Sequence, residues 1–339
     1  MNNEYNDYNK DNEYTPRHAN DFYQNSSNDF YQNSSNDLII DNNLNYINTN
    51  ADNILDTINN DKNNKKNQRK KKKNTTWIFI ILFSIFISII VFCLIKIFIW
   101  GKDNKDTSKV INDINNIVNV TLREDDDNTE LVNDTNEEKN SDYWYYIKFP
   151  LIDVDITELK EKNSDTVGWI NVNNTNINYP FVQTKDNSYY LNHSFNKKYN
   201  EAGWVFLDYR NNKNLNNRNT ILYAHSRLDK TMFGSLSKVL KSSWYNNKDN
   251  HIIRLSTDTE NTLWQIFSVY KIPEESYYIT TNFNANEEYT KFLNTIKQRS
   301  IHNFNTNLDT NDKILTLSTC YSDTERTVVH AKLIKRSPK

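Results

Sequence analysis

Apolar positions along this 339-residue chain come in blocks of contrasting character. Residues 1–76 hold almost no apolar runs; Asn, Asp, Ser and Tyr dominate, and the octad Asn20-Asp-Phe-Tyr-Gln-Asn-Ser-Ser27 is repeated at once as Asn28–Ser35. Such a composition cannot bury enough apolar surface to offset the entropy of ordering, so it predicts a disordered tail. Two copies of an octad are too few for a stacked-repeat fold. The next block, Trp77–Trp100, is nearly unbroken in Ile, Phe, Leu and Val. About 20 such residues suffice to cross a bilayer as one helix, and a tryptophan stands at each end, where interfacial anchors belong. Lys96 lies about one turn from the outer end and can reach the headgroups along its own aliphatic stem.

Polarity returns over residues 101–141, with acidic stretches at Glu124–Asp127 and Glu137–Glu138. One periodic set, Val110, Ile111, Ile114, Ile117 and Val118, predicts a helix, and the block reads as a stalk. From residue 142 to 339 aromatic residues and apolar runs reappear, enough for one core and one globular domain. It opens with a helix over Asp155–Lys162, whose Asp155-Ile-Thr-Glu158 has capping-box spacing. Strands are predicted at 167–172, 177–182, 203–209, 220–224, 252–256, 263–272, 313–319 and 327–334. Two helices interrupt them: Met232–Trp244, with Phe233, Leu236, Leu240 and Trp244 on one stripe, and Ala285–Ile296, with Ala285, Tyr289, Phe292, Leu293 and Ile296. Many short strands imply a barrel or a sandwich, a mostly β fold.

Charge fixes an orientation for the apolar block. Lys62, Lys65, Lys66, Arg69 and Lys70–Lys73 precede it, whereas Gly101–Asp106 beyond it is mixed. The positive-inside rule then places the N-terminus in the cytoplasm and residues 142–339 outside. A cleaved secretory signal fits less well, because a long polar tail precedes an apolar core longer than the usual one. The span accounts for the basic run, so no nucleic-acid partner is inferred; the formal net charge of −2 adds nothing about partners.

The chain has two cysteines, and Cys93 lies inside the apolar block. Cys320, at the end of Ile314-Leu-Thr-Leu-Ser-Thr-Cys320, is thus a lone thiol in an exported domain, with no disulfide partner. Left unused it would be an oxidation liability, which points to a nucleophile. A thiol nucleophile needs a base, and acyl transfer needs donors for the developing oxyanion. His225 ends the run Asn219–His225, and Arg326 follows Cys320 across a loop short enough for a hairpin. His330 competes as base, since Arg326, Val328 and His330 share one strand face. His193, His251 and His302 have no neighbouring motif. No His, Cys and carboxylate spacing suggests a metal, and no cofactor is expected.

Thr316-Leu-Ser-Thr-Cys320 resembles the Thr-Leu-x-Thr-Cys signature of sortases. Arg326-Thr-Val-Val-His-Ala331 is similar to the arginine strand that follows it, and Tyr223-Ala-His225 matches the histidine position. Similarity extends over Asp165–Gln183, Ala202–Asp208 and Met232–Leu236, covering about residues 145–336. The helices at Asp155–Lys162 and Ala285–Ile296 make class B the nearest class, although Ala224-His225-Ser226 stands where many members have Gly-His-Asn. The resemblance implies an eight-stranded β-barrel and a transpeptidase. Cys320 would attack a Thr-Gly type bond in a sorting signal, His225 would exchange protons with the leaving and incoming amines, and Arg326 would hold the substrate carbonyl. Thr319 would help through its hydroxyl or backbone. The substrates implied are secreted proteins bearing the signal, the acceptors peptidoglycan-precursor or pilin amines, and the setting a Gram-positive-type envelope. Two other readings are an extracellular thiol peptidase of the papain-like type, disfavoured because His225 precedes Cys320, and an inactive membrane-anchored binding protein.

Overall fold

The computed structural model describes residues 42–132, 137, 141–273, 275–319 and 325–339. The tandem octads therefore lie outside the described residues. The chain divides into two units, residues 1–84 and 85–339. All described residues of the first are helical, and its apolar side chains from Trp77 onward are exposed. They belong to α1 (Asn42–Asn115). In the second unit α1 stays exposed through Phe98 and then buries Asp103, Thr107, Val110 and Ile114. Those positions recur at intervals of three or four, the period of one helix face.

After α1 come β1 (Val120–Arg123), β2 (Glu130–Leu131), α2 (Tyr143–Tyr146), β3 (Leu151–Val154), α3 (Thr157–Lys162), β4 (Thr166–Val172) and β5 (Asn178–Val182). There follow β6 (Phe206–Leu207), β7 (Asn219–Ala224), α4 (Ser242–Tyr245), β8 (Ile252–Thr257), β9 (Glu260–Ile272), α5 (Asn286–Gln298), β10 (Ile314–Thr319) and β11 (Arg326–Pro338). The order β10-β7-β6-β5-β4-β8-β9-β11, with β11 pairing back onto β10, closes an eight-stranded barrel. The expected barrel is therefore present. β5 with β6 and β7 with β10 run parallel. β10 covers β11 only as far as Lys332, and β2 takes the edge at Lys335 and Arg336. β1 forms a separate pair with β3.

Trp169, Phe181, Trp204, Trp264 and Phe267 are among the largest fully buried side chains. β7 and β10 are buried along their whole length, so neither shows the alternation of a half-exposed strand. α5 braces this pair: it buries Tyr289, Phe292, Leu293 and Ile296, and the Tyr289 hydroxyl reaches the carbonyls of Arg218 at 3.0 Å and Asp312 at 2.6 Å. Those carbonyls lead into β7 and β10.

Two predicted helices differ in detail. Met232–Trp244 is a 3₁₀ helix over Gly234–Leu240 followed by α4, with an extended break at Lys241. Phe233, Leu236 and Val239 are all fully buried, a spacing of three that suits three residues per turn; Leu240, expected on the stripe, is only partly buried. At α3, Asp155 accepts from the Thr157 N–H at 2.9 Å, and the helix starts two residues later than expected.

Candidate active site

β7 and β10 are in register, Ser318 opposite Tyr223 and Thr319 opposite Ala224. Both strands therefore stop at one end of the barrel, and His225 is the next residue after β7. Cys320, the next after β10, lies outside the described residues, as do residues 321–324. The chain re-enters at Arg326, whose Nη1 donates to the Thr319 carbonyl at 3.3 Å. Thr319 is buried, and its hydroxyl accepts from the Thr327 N–H at 2.9 Å. Thr319 thus ties the end of β10 to the start of β11 by side chain and backbone together. Glu325, next to Arg326, pairs with Lys271 at 3.2 Å.

His225 donates from Nε2 to the Leu191 carbonyl at 2.6 Å. A carbonyl can only accept, so this nitrogen carries the hydrogen. The His225 carbonyl accepts from the Phe233 N–H at 3.0 Å. Gly203 sets the other side: its φ is +61°, and a Cβ there would stand 2.5 Å from the Tyr190 carbonyl, 2.8 Å from that of Leu191 and 3.1 Å from Cδ2 of His225. Only glycine permits both that conformation and that approach.

His330, the competing base, is fully buried inside the barrel. The Thr316 hydroxyl donates to Asn219 Oδ1 at 2.7 Å, so it accepts from His330 Nδ1 at 2.9 Å. His330 Nε2 then accepts from the Tyr270 hydroxyl at 2.8 Å, which in turn accepts from that of Tyr277 at 2.9 Å. Asn219 Nδ2 donates to the carbonyls of Tyr278 and Thr280 at 3.1 and 2.9 Å. The bonds run from residues 277–280 through the core and back to them. Burial brings His330 down from 6.5 to about 3, leaving it neutral. With both ring nitrogens engaged, the papain-like reading loses the histidine on which it depended.

A cavity of about 750 Å³ opens beside this end of the barrel, lined by Leu191, Phe206, Tyr223, Tyr277, Ser318 and Arg326 among others. Tyr223 and Asn187 on its wall donate to Asp208 at 2.9 and 3.0 Å, and Arg210 grips the same carboxylate at 2.7 Å. Burial works to raise Asp208, but the Arg210 guanidinium and these donors outweigh it and hold the carboxyl below its ordinary range. Arg210 also donates to the Ile279 carbonyl at 2.9 Å, fixing the wall from below. Among the described residues no group of His, Cys, Asp and Glu is placed to hold a metal ion.

Sequence reasoning missed Leu191, Gly203, Asp208, Arg210 and the wall at 277–280. Glycine was the available signal: of the four in the chain, Gly203 and Gly234 flank the loops around His225, and neither leaves room for a Cβ. A Cβ at Gly234 would stand 2.1 Å from the Arg227 carbonyl.

Comparison with known proteins agrees with this geometry. The Sortase domain family matches residues 170–334. Sortase B of Staphylococcus aureus is 42% identical over 184 residues, 53% of this chain and 74% of that protein. A Staphylococcus aureus sortase B-substrate complex superposes with a TM-score of 0.50 at 40% identity, over 52% of this chain and 83% of the other. Sortase B of B. anthracis does so at 0.54 and 34%, over 70% and 97%. A closed eight-stranded barrel that brings His225 and Arg326 to the end of the Thr316–Thr319 strand, and relatives of this identity along most of their length, place the chain in the sortase family of cysteine transpeptidases, closest in kind to class B.

Proposed function

We propose that this protein is a single-pass membrane enzyme of a Gram-positive-type envelope that cuts the C-terminal sorting signal of secreted proteins and joins them to a cell-wall or pilin amine. Residues 1–76 are its cytoplasmic tail, 77–100 its span, and 101–141 lead to the catalytic domain at 142–339. The exposed apolar run within α1 and the basic cluster before it support the anchor. Cys320 Sγ attacks the carbonyl of the scissile bond, and the amine leaves with a proton from His225. An incoming amine then attacks the thioester and gives its proton to His225 as Cys320 departs as the thiolate, so the proton given to the first amine is regained. Arg326 holds the substrate carbonyl and steadies the charge that develops on its oxygen, and the cavity beside Arg326 receives the signal peptide.

The observation that carries this reading is the parallel register of Thr319 with Ala224, which ends β7 and β10 at one level, with the Arg326 guanidinium on the Thr319 carbonyl. The solved relative described as a sortase B-substrate complex supports a peptide substrate. The test is mass spectrometry of the full chain in detergent micelles, mixed with a panel of peptides containing a Thr-Gly bond. A thioacyl adduct on Cys320, discharged by hydroxylamine and absent in Cys320→Ala, is the expected result. Turnover by Cys320→Ala would overturn it.

A further inference from the structure

The end of α1 meets the barrel at the two loops that hold His225, and we propose that Asp103, Asn104 and Thr107 position that histidine for proton transfer. This rests on the reading of His225 as the proton carrier and extends it to a helix that touches no reacting atom.

The first contact is with the loop that supplies the histidine's partner. Asn200, buried, donates to the Asp103 carbonyl at 3.2 Å and exchanges hydrogen bonds with Thr107 Oγ1 at 3.2 and 3.4 Å. The Glu201 N–H donates to the Asp103 carboxylate at 3.0 Å. From Asn200 the load passes inward over two short paths. Its N–H donates to the Asn192 carbonyl at 2.9 Å, next to Leu191, and its carbonyl accepts from Gly203 at 3.0 Å. Gly203 abuts both the Leu191 carbonyl and the His225 ring. Thr107 is fully buried, so this is an interior joint and not a surface brush.

The second contact is with the loop that carries the histidine itself. Asn104 accepts from the Arg227 guanidinium, two residues beyond His225. The Arg227 side chain is nearly buried and also bonds Asp229. Its backbone lies against Gly234, and the neighbouring Phe233 N–H holds the His225 carbonyl. One turn of α1 therefore bridges the loop that holds the ring nitrogen and the loop that holds the ring's backbone. A shift of about 1 Å in a reacting group can cost about 10²-fold in rate, so slack at this joint should appear in the chemical step.

The test uses the full chain in detergent micelles, a quenched peptide containing a Thr-Gly bond, and hydroxylamine as acceptor. Asp103→Ala with Thr107→Val should lower kcat about 10-fold while KM stays within about twofold, since apart from Leu191 most of the cavity wall is built from other segments. The conservative pair Asp103→Asn with Thr107→Ser keeps the acceptor and the hydroxyl and should restore kcat. Asn104→Ala, at the helix surface, should lower kcat by a smaller factor with the thermal midpoint unmoved, which separates positioning from folding. An unchanged kcat in the Ala/Val pair while His225→Ala is inactive would overturn this inference alone. A conservative pair as impaired as the Ala/Val pair would reduce the joint to a structural one and overturn it too. Normal turnover by His225→Ala would overturn both it and the proton-carrier reading beneath it.

Discussion

His225 Nε2 and the Leu191 carbonyl oxygen lie 2.6 Å apart, and the residue wedged against both is Gly203. Gly203→Ala would demand a left-handed φ of an alanine and push a methyl into two carbonyls. Stability should fall by about 1–3 kcal/mol. Because the displaced Leu191 carbonyl holds the imidazole, kcat should drop further than the loss of folded protein accounts for. Urea denaturation beside steady-state kinetics separates the two; equal losses would leave Gly203 with a folding role only.

Arg326 allows charge to be separated from geometry. The guanidinium offers a planar fork, one nitrogen of which is on the Thr319 carbonyl, whereas lysine offers a compact cation. Arg326→Lys should lose at least ~10² in kcat/KM, the scale of removing one oxyanion donor. Near-normal kcat/KM in a folded Arg326→Lys protein would remove Arg326 from the chemistry.

Acid should weaken the fold through two buried histidines. Burial lowers His330 from 6.5 to about 3 and His251 from 6.5 to about 4. The unfolded chain takes up protons near the ordinary value while the native state does not. The stability they contribute is therefore complete above 6.5 and is lost as pH falls from there towards the native values. The thermal midpoint should be lower at pH 5 than at pH 7, and His330→Gln should flatten the slope over that interval, where carboxylates change little. Parallel slopes for the two proteins would rule out His330 as a source.

Lys335 is buried on β11, where Nζ reaches Asp125 at 2.6 Å and the carbonyls of Ile147 and Phe149 at 2.7 Å each. Lys335→Met keeps the stem but strands two carbonyls, at about 1–3 kcal/mol for each unsatisfied group. Stability should fall by about 2–6 kcal/mol with kcat unaltered, because these contacts lie at the far end of β11 from Arg326. A change under about 0.5 kcal/mol, the usual range for a surface substitution, would mean that water replaces the ammonium.

Much of the barrel was legible because its strands carry β-branched and aromatic residues between clear breaks. The expected 313–319 and 220–224 match β10 and β7 within a residue, and α5 matches its predicted stripe from Tyr289 onward, while Ala285 is its exposed N-cap. β11 runs on to Pro338, past the expected 334, because its last residues are held by pairing with β2 and β9, which local composition does not show. β3 was missed because Leu151–Val154 is a short strand whose pairing with β1 is set from a distance. At the site, the order of His225, Thr319 and Arg326 was readable because their chemistry is particular to their residue types. Leu191 was not, because it acts through a backbone carbonyl that any residue carries.

β11 borders three strands: β9 along one edge, β10 and then β2 along the other. Until Arg326–Pro338 is in place, each of those strands presents a bare edge, and β9 and β10 have no strand between them. Closing contacts span most of the domain's sequence, from Glu130 with Arg336 to Ile272 with Arg326, the pattern that makes folding slow. Without this strand there is no ring at all, so closure of the barrel and the placing of Arg326 are one and the same event.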